Sequence, residues 1–152
     1  MVMIENKVIH NLSYDDIKSY ESVIIRDCII DTINFEFSEV FVSIFLESCV
    51  IKDLLINTCW FKKKTVIDKC IFKNDIIYEM GGHNDDEIYI KNNVFCGFFD
   101  FFDCQFNKKV FIENNIFVNG ANLLGNREKG YKNIFNNGII LSNNNGDLEI
   151  NN

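Results

Sequence analysis

The chain has 152 residues, of which 47% are apolar, enough for one domain with a continuous core. Its formal charge of −7 argues against a nucleic-acid binder, which needs a basic stripe to displace counterions, and no apolar run is long enough for a membrane helix. Six cysteines with no Cys-x-x-Cys pair give no support for a zinc site. The opening "MVMIENKVIHNLSYDD" lacks the charged-then-apolar layout of a secretory signal, so reduced thiols in a cytoplasmic protein are expected.

Residues 1–22 are expected to form an N-terminal cap. A strand is predicted near Val8. "SYDDIKSY" then offers Ser13 as a helix N-cap, acidic residues in the first turn, and Ile17 and Tyr20 on one side.

From residue 23 to 140 the sequence repeats. Take as position zero the small or polar residue after each apolar stretch: Cys28, Ser38, Cys49, Cys59, Cys70, Gly81, Asn93, Cys104, Asn115, Asn126 and Asn137. Positions −5, −3 and +2 around each zero are apolar in 29 of 33 cases, where a 47% composition gives about 15 or 16. Apolar residues at −5 and −3 enclose an outward residue at −4, which is strand spacing. Short strands at a fixed interval predict a solenoid whose coils stack and pair. Every second zero gives the homogeneous set Cys28, Cys49, Cys70, Asn93, Asn115, Asn137, so one coil is about 22 residues and the repeat holds about five coils. The cysteines are expected to be inert inward corner residues, and the asparagines an amide ladder. With His10 and His83 as the only histidines, a catalytic thiol has no base, and no catalytic residue is assigned.

The segment "GGHNDDE", residues 81–87, interrupts the spacing and is expected to bulge outward. Asp85, Asp86 and Glu87 lack the length and spacing of a calcium loop, so no metal or cofactor is expected. Beyond Phe117 the pattern weakens. Lys132 and Glu128 fall at inward positions, so the last coils are looser or the register changes. Residues 141–152 are expected to close the structure as a terminal strand and cap, with a turn at Asn145-Gly146.

One half of each coil carries an unusual exterior. Position −4 reads Ile24, Phe45, Val66, Tyr89, Phe111, and position +1 reads Ile29, Val50, Ile71, Val94, Ile116. All ten are apolar and predicted to point outward, whereas the matching positions of the other half are mostly polar. Such a patch exceeds what soluble monomers leave bare. The expected covers are a second copy, the chain's own termini, or another protein.

The small residue followed two positions later by Phe or Ile, as in Cys70–Phe72, Cys59–Phe61, Cys104–Phe106 and Cys28–Ile30, resembles the pentapeptide-repeat family. The resemblance covers residues 23–140. It departs from the family in alternating five- and six-residue units, and in using Cys and Asn where Ala is usual. It implies a right-handed, four-sided parallel β-helix, an all-β fold. Some members of that family bind DNA gyrase as dimeric DNA mimics. Here Glu36, Glu39, Glu79, Asp100 and Asp103 lie on the polar half, interrupted by Lys62, Lys63 and Lys64.

The expected function is that of a non-enzymatic interaction module, homodimeric through its apolar face. It would bind or inhibit a protein partner, possible targets including a nucleic-acid enzyme met by acidic mimicry, with no direct nucleic-acid or membrane binding. Two alternatives are a carbohydrate-active β-helix enzyme using Asp100 and Asp103, and a structural protein that stacks end to end.

Overall fold

The computed structural model describes residues 1–152. The chain is a parallel β-solenoid of about six turns with four faces. The first face is a seven-stranded sheet with rungs Val2–Glu5, Ser22–Arg26, Ser43–Glu47, Thr65–Asp68, Ile88–Lys91, Val110–Glu113 and Ile139–Ser142, here rungs 1 to 7. The second face has six rungs, from Val8–Ser13 to Ile116–Phe117. Shorter pairs make the third face (Ile76–Ile77 on Phe99–Asp100) and the fourth (Glu39–Val40 on Trp60–Phe61, and Gln105–Phe106 on Ile134–Phe135).

All pairing is in register, so residues at one sequence position form a vertical column. Inward columns build a single core of 35 buried residues. Phe72, Phe95 and Phe117 stack through it with ring centroids 5.0 and 4.9 Å apart. The one polar residue inward on the first face, Thr65, is buried but donates its hydroxyl to the Lys63 carbonyl at 3.2 Å.

The corner between the first and second faces is built identically in every coil. Asn6, Asp27, Ser48, Lys69, Asn92, Asn114 and Asn143 take it with φ of +52° to +57°. This left-handed turn suits Asn and Asp best among side-chain-bearing residues. It sends the N–H of the corner residue up to the next coil, as in Ser48 to the Asp68 carbonyl at 2.9 Å, and turns the following N–H inward. That following residue is position zero. Its N–H finds a side chain of the coil above: Cys49 donates to Cys70 Sγ (3.4 Å), Cys70 to Asn93 Oδ1 (2.8 Å), Asn93 to Asn115 Oδ1 and Asn115 to Asn144 Oδ1 (both 3.0 Å). The same side chains donate downward. Cys28, Cys49 and Cys70 Sγ reach the carbonyls of Ile4, Ile25 and Leu46, and the Nδ2 atoms of Asn93, Asn115 and Asn144 reach those of Ile67, Ile90 and Ile112.

The ladder therefore ends at Asn144, not at the expected Asn137, which is exposed. The step from Asn93 to Asn115 is 22 residues, but from Asn115 to Asn144 it is 29. The other corner shows the same longer step, since Cys104 N–H donates to Asn133 Oδ1, 29 residues on. The register thus changes through one insertion before Asn133, and Asn126 lies inside it instead of heading a coil. Asn126 bonds the chain end, its backbone N–H donating to Asn151 Oδ1 and its side-chain Oδ1 accepting the Asn152 N–H.

The termini also differ from expectation. Residues 2–13 are not a cap outside the repeat but its first coil, with Val2–Glu5 paired to Val23–Arg26 and Val8–Ser13 paired to the second face. Helix α1 (Tyr14–Ile17) follows, its Ser13 N-cap donating both N–H and Oγ–H to the Asp16 carboxylate at 2.8 and 2.7 Å. Those bonds lower the Asp16 pKa. The tail after Gly146 runs along the third face, taking N–H bonds from Ala121 and Leu124 at 2.8 Å. At residues 81–87, Asn84 is fully buried and accepts the Asn107 N–H at 2.9 Å, so it shapes the expected bulge.

Replacing Asn93 by Ala leaves the Cys70 N–H unpaired in the core, while the Ile67 carbonyl keeps its place in the strand ladder. At about 1–3 kcal/mol per buried orphan, the expected loss is about 1–3 kcal/mol in a urea melt. Asn137→Ala is expected to stay within about 0.5 kcal/mol of the parent protein, since it touches no such feature.

Candidate interaction surface

The central outward column of the first face runs Met3, Ile24, Phe45, Val66, Tyr89, Phe111, Ile140, from rung 1 to rung 7. All seven are apolar. Met3 and Ile140 extend the stripe at both ends beyond the five residues read from the sequence. Tyr89 and Phe111 stack flat, with centroids 4.5 Å apart and planes at 5°. The middle five are half-buried by their column neighbours, and Met3 and Ile140 are 44% and 40% exposed. The termini do not cover the stripe, because residues 2–5 and 139–142 are its end rungs.

Two charged columns flank it. On the corner side stand Glu5, Arg26, Glu47, Asp68, Lys91, Glu113 and Ser142. On the other side stand Ser22, Ser43, Lys64, Glu87 and Lys109, in the registers that precede each rung. Lys64 Nζ sits 5.3 Å from the Tyr89 ring centroid, and Tyr89 Oη donates to Glu87.

The second predicted column, Ile29, Val50, Ile71, Val94 and Ile116, lies on the second face and is extended downward by Val8. The ten residues are thus not one wall. The charged column and the polar left-handed corner separate two ridges on adjacent faces. The second ridge is entirely Val and Ile, which strand propensity alone favours. The first is also built mostly of strand formers, Phe and Tyr included, and what sets it apart is the stacked Tyr89–Phe111 pair and the charged columns on both borders.

The acidic residues of the opposite half do not form one row. Glu36 and Glu79 share a column with Asn57 between them, Asp100 and Glu39 belong to two other columns, and Asp103 takes a corner at φ +54°. Asp100 Oδ1 accepts the Phe102 N–H at 2.9 Å and Asn122 Nδ2 at 2.7 Å, so it holds a turn and a neighbouring coil. Beside these residues is a cleft of about 310 Å³ lined by Trp60, Met80, His83 and Gln105. The His83 ring lies 4.5 Å from that of Trp60. Phe37 and Met80, 73% and 49% exposed, take left-handed corners at φ +55° and +50°. An apolar residue where a corner elsewhere carries Asn or Asp is the signal by which the sequence could have marked this edge.

All six cysteines are free thiols. Cys28, Cys49 and Cys70 are vertical neighbours, with Cys59 and Cys104 in the other corner column. Burial pushes the Cys59 and Cys104 thiols up, and the hydrogen bond with Cys49 together with burial does so at Cys70. No histidine hydrogen-bonds a thiol: His10 pairs with Asp31 at 2.8 Å, and the His83 ring packs at a tilt against Trp60. Native protein treated with a thiol-reactive chromogen at pH 8 is expected to release colour for Cys96 alone, which is only half-buried. The other five are expected to react after denaturation.

No helix is long and apolar enough to cross a membrane. No family model, curated protein or solved structure matches the chain.

Proposed function

We propose that this protein is a non-enzymatic interaction module that docks a protein partner on its first face. The observation that carries this reading is the stripe from Met3 to Ile140, apolar at all seven rungs and uncovered by the chain itself. Covering about 300 Å² of it at ~25 cal/mol per Å² supplies roughly 7 kcal/mol before association costs. Those costs bring the net affinity into the range of regulated, reversible contacts. The parallel sheet and its charged borders give such a contact a hydrophobic centre and a polar rim.

A carbohydrate-active site would need two free carboxylates facing a groove, and the hydrogen bonds at Asp100 already commit one of the pair. Acidic mimicry of nucleic acid would need a continuous row, and Glu36 and Glu79 share a column that Asn57 interrupts while Glu39, Asp100 and Asp103 lie in others. Neither alternative gains support.

The test is capture by the purified, immobilised protein from an extract of the cells that make it. Phe45→Asp and Val66→Asp are each expected to lower partner recovery at least tenfold while the melting temperature stays within a few degrees. Ile77→Asp, on the exposed part of the third face, is expected to leave recovery unchanged. Equal recovery by all three variants would remove the first face from the interaction.

A further inference from the structure

We infer that the occupant of the first face is a second copy of this chain, bound side by side with the two solenoids parallel and the two-fold axis running along them. This inference rests on the first face being the docking surface, and names what docks there.

The phase of the two charged columns carries it. In each of three successive rungs the borders of the stripe carry opposite signs: Lys64 and Asp68, Glu87 and Lys91, Lys109 and Glu113. The two members of a pair are four residues apart on one strand, about 13 Å, so they cannot reach one another within the chain. None of the six joins any ion pair of the monomer. Alternation along a column avoids stacking like charges at the strand spacing, but it would allow either relative phase of the two columns.

A two-fold axis parallel to the solenoid and lying over the stripe exchanges the two borders within each rung. Lys64 of one copy then meets Asp68 of the other, Glu87 meets Lys91, and Lys109 meets Glu113. Each pair forms twice. Lower down, Arg26 meets Ser22 and Glu47 meets Ser43, so no rung opposes like charges. The antiparallel arrangement, with the axis along the strands at the central rung, sets Lys91 against Glu47 and Glu113 against Arg26, but it also sets Asp68 against Asp68 and Lys64 against Lys64, like-charge contacts that the parallel form does not have. The charges therefore select the parallel form, and the contact is isologous. Seven rungs of about 4.8 Å by a strand of roughly 17 Å give ~570 Å² per copy, at the lower edge of specific interfaces. A dimer that dissociates at micromolar concentration is expected.

The test is sedimentation velocity of the full chain at about 1 to 200 µM. Wild type is expected to shift from monomer to dimer, with a midpoint that moves upward in high salt. Reversing one column (Asp68→Lys, Lys91→Glu, Glu113→Lys) or the other (Lys64→Glu, Glu87→Lys, Lys109→Glu) is expected to give two proteins that stay monomeric alone. Mixed, they are expected to form a heterodimer, because reversed borders then face each other. Should a single-column variant fail to fold, the six-fold exchange, which preserves alternation in both columns, is expected to dimerise with itself and not with wild type. A wild type that stays monomeric at every concentration overturns the second copy as occupant, and leaves partner capture on Phe45 and Val66 as the separate test of the face. Single-column variants that dimerise like wild type, or a mixture or six-fold variant that does not associate, overturn the parallel geometry.

Discussion

One amide per coil governs this fold. The left-handed corner turns the N–H of position zero toward the core, where no strand can accept it. An unpaired buried N–H costs about 1–3 kcal/mol, and a few of them would equal the whole stability of a small domain. The chain answers with a side chain from the coil above that is small enough for the corner, accepts from that N–H and donates to the coil beneath. Asparagine meets all three conditions. Cysteine meets them weakly, with a soft sulfur acceptor and long S–H bonds to carbonyls, 3.5 to 3.7 Å to the coil below. The column of thiols and amides is thus a hydrogen-bond device. Its regularity fixes the register of every outward column as well.

That dependence explains what the sequence disclosed. Wherever a zero was Cys or Asn between apolar −5, −3 and +2 residues, inward and outward assignments follow from alternation alone, and the five central stripe residues sit where the pattern puts them. At the N-terminus, "VMIENKVI" has the same apolar positions as "VIIRDCII". Lys7 at its zero hid the coil, although a lysine is permissible there because the corner of the first coil is open to solvent. At the C-terminus the insertion before Asn133 displaced the frame by 29 − 22 = 7 residues. A run rich in asparagine then offered several candidates for one position. Nothing in periodicity distinguishes Asn137 from Asn144, because the choice depends on which amide the Asn115 N–H can reach.

The exterior was less legible, for a geometric reason. Columns compared one at a time do not say which are neighbours around a corner. Position +1 follows −4 by only five residues, yet the corner places them on different faces with charge between them. The flanking columns matter as much as the stripe. An apolar column alone is explained by strand propensity on the second face, whereas on the first it is joined by aromatic stacking and by borders of opposite sign in each of rungs 4 to 6.

The same ladder bears on whether copies would stack end to end. A solenoid leaves an unpaired edge at each end, and such edges invite another chain. At the top, the N–H of Asn144 has no acceptor above it, so a further coil would have to bring a side-chain oxygen to that point. The coil that a second copy would present is its first, and its zero position is Lys7, a donor with no acceptor. The lysine cannot continue the ladder, and it would place a charge against a corner that the other coils bury. The tail bonded along residues 121–126 also occupies the third face at that end. End-to-end growth is therefore opposed at the very column that holds successive coils together, which leaves the lateral outward faces for association.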